Sequence, residues 1–402
     1  MTGSRRKILL CCLWITGLLW LYGCGSPSSD SASGEAVSSE MAANETEKTV
    51  EQEAPVFANL EKQGSMELAY AENFSVDYYE GGYEMLGTVD GTHILLVPEG
   101  EQTPTGLEDG TIVLERPVSD LYLVSSGVMD MFRELDALST IRFSAQKEEN
   151  WYIEEAREAM AQGKIRYAGK YNRPDYEQIV SEGCSLAIEN RMILHAPEVM
   201  EKLQEFGIPV MIEYSSYEKH PLGRVEWIRF FGALTGREKE AEEAFEKQKA
   251  TLEQVAEEDS TDKTAAFFYI TSNGLVQVRQ STDYIPKMIE IAGGSYVPEN
   301  AGDPDSGRST MNMQIEDFYD KAREADFLIY NSSIDGGIKT LEELTDKCSV
   351  LKDFKAVQEG NVFCTTNDMY QQSMAVGQLT EDIHRMLTGK DEQEMTYLFR
   401  LR

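Results

Sequence analysis

Side chains that do covalent chemistry are few in this chain and poorly spaced for it. The four histidines, His93, His195, His220 and His384, are scattered. None forms the His-x-x-x-His spacing that puts two imidazoles on one helix face for zinc or manganese. No Gly-x-Ser-x-Gly elbow presents a nucleophilic serine, and Ser125-Ser126 lacks the preceding glycine. With 70 acidic residues, a pair of carboxylates means nothing without geometry. Cys184, Cys348 and Cys364 lie far apart and make no C-x-x-C motif. In an oxidising exterior two of them could bridge, or all could be buried thiols. The chemistry on offer is recognition. Trp151, Tyr171, Arg173, Arg279, Arg308 and Tyr370 fall in or beside polar loops. Aromatic rings stack on flat groups, and guanidinium makes charge-assisted hydrogen bonds to anions. These six are the candidate ligand contacts.

The elements that must position them follow an α/β rhythm. Alternating residues from Phe74 flank Gly81-Gly82, and Asp90-Gly91 precedes the apolar run 93–97, so hairpins open the folded part. Leu121–Val124 then reads as a short buried strand, followed by a helix with Val128, Met131, Phe132 and Leu135 on one face. A helix is predicted over about 153–161, a loop over 169–174, and a helix with Pro174 in its first turn that carries Glu177. Strand, helix and strand follow at 186–188, 196–206 and 209–213. The segment 214–227 is polar and aromatic. It reads either as a cleft wall bearing Tyr217 or Arg224, or as a packed helix start around Trp227. From 225 to about 255 the pattern is helical almost throughout, with a possible break at Thr235-Gly236. The rhythm then restarts: strand 265–270, helix 284–292, a helix from 314 carrying Glu316, strand 327–330, helix 350–357, strand 361–364 and a closing helix 372–387. The predicted fold is α/β: two Rossmann-like lobes with mainly parallel central sheets, joined by one long bridging helix. Ligands of such sheets bind outside the carboxyl ends of the strands, between the lobes.

The N-terminal stretch is of another kind. Arg5-Arg6-Lys7 precedes an apolar run ending at Tyr22, then Gly23-Cys24. The run is shorter than the ~20 residues a membrane span needs. It resembles a bacterial lipoprotein signal, whose Cys24 becomes the lipidated first residue. Ser, Ala, Gly and Glu fill the next ~30 positions, a composition that cannot bury enough surface to order itself. The expected organisation is a signal at 1–23, a tether at 24–54, a first lobe at 55–220, a bridging helix at 221–256 and a second lobe at 257–402. A net charge of −33 excludes nucleic acid as partner, since phosphate binding needs clustered Lys and Arg. It also leaves membrane association to the lipid.

Taken in order, four short segments resemble a known family, the class III (TroA-like) substrate-binding proteins of ABC importers. They are Y-A-G-K-Y-N-R-P-D-Y-E-Q-I at 167–179, F-G-I-P-V at 206–210, I-E-I-A-G-G at 289–294 and F-K-A-V-Q-E-G-N-V-F at 354–363. The resemblance covers roughly 121–387. It implies a monomeric receptor, without cofactor or catalysis, that captures a metal chelate and delivers it to an ABC permease. An iron–siderophore is the first expectation and a corrinoid the next. It implies that Glu177 and Glu316, one per lobe, dock among permease arginines. Relatives bind haem or free metal; the loop at 171–173 reads Tyr-Asn-Arg, without the histidine or methionine that haem-binding relatives use. The competing class is a secreted α/β hydrolase or glycosidase, which would need the nucleophile and base that the sequence does not display.

Overall fold

The computed structural model describes residues 54–402, apart from 304, 305, 307, 335 and 391. The expected signal, tether and Cys24 lie outside the described residues. No described helix is long and apolar enough to cross a membrane.

The hairpins at the start form a sheet of their own. Its five strands, Lys62–Ser65, Phe74–Tyr79, Glu84–Thr88, His93–Val97 and Ile112–Glu115, lie in chain order. All pairs are antiparallel except the last, which is parallel. Gly81 and Gly82 take φ of 76° and 81°, and Gly91 takes 86°, a region closed to most side chains. One face carries Phe74, Val76, Leu86 and Ile94 into the main core, where Phe74 lies 5.0 Å from the Trp227 ring. The other face closes a small core around Tyr83, Leu95 and Val97.

The first lobe is an all-parallel sheet in the order Val210–Ile212, Leu186–Glu189, Leu121–Leu123, Ile141–Ser144, Arg166–Tyr167. The last two strands escape a reading by apolar runs because Arg142 interrupts the first and the second is only Arg166-Tyr167. The chain runs outward from Leu121–Leu123 on one side, then returns to place Leu186–Glu189 on the other. That reversal opens a crevice at the carboxyl ends of these two neighbours.

The second lobe is a seven-stranded sheet with a parallel centre and antiparallel edges. Thr264–Ile270, Phe327–Tyr330 and Val362–Thr365 run parallel, and Ser295–Val297 pairs parallel with the first of them. Val276–Arg279, Thr310–Met313 and Leu398–Arg400 pair antiparallel outside this centre.

The connection between the lobes differs in detail from the expected single helix. Residues 221–256 form two helices, Pro221–Thr235 and Glu238–Ala256. Gly236 ends the first in the left-handed region, φ 68°, ψ 36°, as helix-terminating glycines do. The second folds back on the first: Arg229 Nε meets Glu242 at 2.9 Å, and a Cβ at Gly232 would lie 2.6 Å from that of Ala241. A straight helix would hold residues 229 and 242 about 20 Å apart. Glu238–Ala256 then packs on the closing helix Val376–Thr388, where the Gly377 N–H donates to Gln248 Oε1 at 3.0 Å. One apolar core runs from the N-terminal sheet through this hairpin into the near face of the second lobe. The far face has a separate core around Phe318 and Phe354. The lobes are therefore held by packed side chains rather than by a flexible hinge.

Candidate functional site

Beside the carboxyl ends of Leu186–Glu189 and Val210–Ile212, a cavity of about 330 Å³ lies between the two lobes and the N-terminal sheet. The first lobe supplies Arg191, from the turn after Leu186–Glu189, and Tyr214, Tyr217 and Lys219, from the segment after Val210–Ile212. The second lobe supplies Thr282, Asp283, Arg308 and Ser309; the N-terminal sheet supplies Asn73 and Val89. The volume falls in the range of small-molecule sites.

Basic and aromatic side chains gather on the cleft lining. The Arg191 guanidinium lies 4.1 Å from the centroid of the Tyr217 ring and 5.9 Å from that of Tyr214. Arg308 and Lys219 are exposed. The two acids of the lining are already engaged. Glu218 is buried and accepts from the backbone N–H groups of Glu72 and Asn73 and from Trp227 Nε1, each at 3.0 Å. Asp283 is buried, caps the helix Tyr284–Ile291 by accepting from the Ile285 N–H, and faces Arg279 at 3.5 Å. Burial pushes both carboxyls above their ordinary range, against the pull of those partners. Tyr214 donates to Asp90 Oδ2 at 3.1 Å; burial, then the Asp90 charge, pushes its phenol up to about 12, so it stays a neutral donor. The result is a cationic and aromatic cleft on a strongly acidic chain.

Of the six candidate contacts, Arg308 lines this cleft. Arg279 and Tyr370 meet each other on its second-lobe side: Arg279 is buried and donates to the Tyr370 hydroxyl, which also accepts from Asn331 Nδ2 at 2.7 Å. Tyr370 borders a second cavity, about 30 Å³ and room for little more than a water, beside Tyr284 and Arg224, whose guanidinium stacks at 4.0 Å over that ring. Tyr171 and Arg173 sit instead on a tight hairpin between Gly169–Lys170 and Arg173–Pro174 and line neither cavity. Trp151 is 3% exposed; its indole N–H donates to Ser144 Oγ at 3.3 Å, so its ring is part of the core. Glu177 and Glu316 both stand exposed in the first turn of their helices, Tyr176–Ser181 and Ile315–Ala322. Neither makes an ion pair among the described residues.

The segment 214–227 does both things its composition allowed. Tyr217 faces the cleft, while Trp227 is fully buried. Arg191, Tyr214 and Lys219 are cleft residues outside the six candidates, although they fall on segments whose composition allowed a cleft role; the direct pairing of Leu186–Glu189 with Val210–Ile212 sets their turns side by side. Ser125 donates to Glu213 at 2.6 Å, and Glu213 also accepts from the Ser215 hydroxyl, so that serine is held by a carboxylate and not by an imidazole.

A row of bonds closes the lobes along one side. The Gln371 amide donates to the Asn150 carbonyl and accepts from the Tyr152 N–H, both at 2.8 Å. Ser373 donates to the Gly127 carbonyl at 2.6 Å, and the Met374 N–H donates to Asp130 at 2.8 Å.

No protein-family model matches the chain. Two uncharacterized lipoproteins of Methanocaldococcus jannaschii are similar to it. One is 24% identical over 414 residues, spanning 99% of this chain and 100% of its own. The other is 24% identical over 340 residues, 77% of this chain and 79% of its own. Among solved structures, a periplasmic binding protein of Veillonella parvula superposes with a TM-score of 0.55 at 16% identity, covering 71% of this chain and 97% of its own. A possible iron-binding, periplasmic solute-binding protein of Staphylococcus epidermidis gives 0.52 at 13%, covering 66% and 96%. An ABC-type Fe3+-hydroxamate transport protein of Saccharomonospora viridis gives 0.50 at 18%, covering 67% and 93%. The chain shares the two-lobed α/β fold of these solute-binding proteins.

Proposed function

We propose that the protein is the solute-binding component of an ABC importer. It captures a metal chelate, an iron–siderophore first and a corrinoid next, in the cleft between its lobes and delivers it to the permease. It binds and releases without turnover. The observation that carries this is the cleft itself: arginines from both lobes and two tyrosines converge on about 330 Å³ beside the carboxyl ends of two first-lobe strands, while the neighbouring acids are spent on internal bonds. Such a surface suits an anionic, partly flat ligand through charge-assisted hydrogen bonds and stacking. Among the described residues no group of three or more His, Cys, Asp or Glu could hold a metal ion, which favours a chelate over a bare ion. Structural neighbours with iron and hydroxamate in their names support the same ligand class.

Two further parts complete the reading. Glu177 and Glu316, exposed and one on each lobe, dock among permease arginines, where bidentate contact fixes orientation as well as adding energy. A lipid on Cys24 holds the protein at the outer membrane face, in keeping with relatives named lipoproteins. The test is a titration with a ferric catecholate, a ferric hydroxamate, haem and cyanocobalamin, read by tryptophan fluorescence and melting temperature. A ferric complex should quench fluorescence and raise the melting temperature, and Arg191→Ala with Arg308→Ala should weaken both responses. A panel that changes neither signal would overturn the assignment.

A further inference from the structure

We propose that the N-terminal sheet is a third wall of the binding site. Val89 and Asn73 touch the ligand, and Asp90 positions Tyr214 against it. The inference rests on the cleft being the ligand site, and it adds a determinant that belongs to neither lobe.

Val89 is the first sign. It is an aliphatic residue, 59% exposed, on the rim of a cavity whose other side is cationic. It sits in a turn held from several directions. Its own N–H donates to the Asn73 carbonyl at 3.0 Å, joining the two loops of the sheet that reach the cleft. The next residue, Asp90, accepts from Thr88 Oγ1 at 2.6 Å, from the Thr92 N–H at 3.1 Å and from the Tyr214 hydroxyl at 3.1 Å. The turn is therefore anchored both to its own sheet and to a cleft tyrosine of the first lobe.

The second sign is how the partner loop is fixed. Five consecutive backbone N–H groups, 69–73, donate to two buried carboxylates, Glu218 of the first lobe and Glu226 of the connecting helix Pro221–Thr235. Glu226 takes those of Ala69, Tyr70 and Ala71 at 2.7–2.9 Å, and Glu218 takes those of Glu72 and Asn73 at 3.0 Å. Arg229, at 3.2 Å, balances Glu226. Charge-assisted bonds of this kind are the strong ones. The sheet's apolar face already seats it on Trp227 and Phe230, so packing alone would hold the sheet. The carboxylates add a fixed position for Asn73 at the cleft edge, and fixed contacts are what raise affinity without ordering cost. A wall with one apolar residue facing arginines points to an anionic chelate with an apolar or aromatic periphery.

The test uses the full-length protein with a ferric catecholate and, for comparison, a neutral ferric hydroxamate. Val89→Asp and Asn73→Ala are compared with Lys62→Ala, an exposed position on the remote edge strand of the same sheet. Val89→Asp should weaken catecholate binding about tenfold or more, the scale of one lost contact plus one added like charge. Asn73→Ala should weaken it less, and Lys62→Ala not at all, with all three melting alike. For the positioning role, Asp90→Ala and Tyr214→Phe should each lower affinity, their double variant should add nothing further, and Asp90→Asn should recover most of the loss. If Val89→Asp and Asn73→Ala bind as the wild type does while Arg191→Ala loses binding, the cleft reading stands and the third wall is refuted. If the wild type binds neither complex, the iron-chelate assignment of the cleft and this inference both fall.

Discussion

Glu189 gives the sharpest prediction about the scaffold, because its cost can be worked from its surroundings. It ends the interior strand Leu186–Glu189, is 0% exposed, and neither carboxyl oxygen has a hydrogen-bond partner. Desolvation alone pushes its carboxyl from 4.5 up to about 8. Below 4.5 the group is protonated in both folded and unfolded chains and contributes no pH dependence. Between 4.5 and about 8 the unfolded chain gives up its proton while the folded chain keeps it, so stability falls as pH rises. Above about 8 the folded chain carries a buried, unpaired charge and the loss is complete. At ~1.4 kcal/mol per pH unit, that window amounts to on the order of 5 kcal/mol as an upper bound. Glu189→Gln keeps the shape and removes the titration. Urea unfolding at pH 5, 7 and 9 should show the variant close to the wild type at pH 5 and more stable by a few kcal/mol at pH 9. Ionisations elsewhere cancel in the difference between the two proteins. Parallel pH profiles for both would mean that the Glu189 carboxyl is not a buried, unpaired acid and would place a partner at it.

Four other perturbations have defined outcomes. Gly169 has φ 88°, and a Cβ there would stand 2.3 Å from the Arg173 carbonyl oxygen; Gly169→Ala should cost ~2 kcal/mol or more and lower the melting temperature by several degrees. Gln371→Ala strips the bonds to Asn150 and Tyr152 and leaves two backbone groups unpaired, ~1–3 kcal/mol; hydrogen exchange at the Tyr152 amide should quicken and the lobes should separate more in solution scattering. Lysine at both Glu177 and Glu316 should abolish uptake in cells while leaving the dissociation constant unchanged; a parallel fall in affinity would place them in the site or the fold instead. Cys24→Ala should release the protein into the medium, whereas a variant still bound to membranes would remove the lipid from the account.

Much of the scaffold is legible from local patterns. Gly81-Gly82 and Asp90-Gly91 mark turns because only a residue at ease with positive φ fits them. The strands 121–123, 186–189 and 327–330 announce themselves as short apolar runs, since a doubly covered strand has no polar face. The break in the bridging segment is written in Thr235-Gly236, but its consequence, a helix folding back, depends on the close approach at Gly232. The site is less legible. Trp151 is an aromatic residue beside a loop, as a stacking residue would be, and only the Ser144 bond and its burial make it core. Arg191 and Arg308 are separated by more than a hundred positions and lie on different lobes, and the packing of the lobes brings them to one cavity. The role of the N-terminal sheet is invisible in sequence, because Glu218 and Glu226 look like ordinary helix-region acids until residues 69–73 are seen to point at them.

Native mass spectrometry of the protein purified from its own host would show whether the interlobe cleft holds a metal chelate. The wild type should carry an added small-molecule mass with an iron isotope pattern, or a cobalt-bearing corrinoid. That mass should be lost in the Arg191→Glu, Arg308→Glu double variant. Polypeptide mass alone in both, or an adduct that survives the double variant, would contradict it.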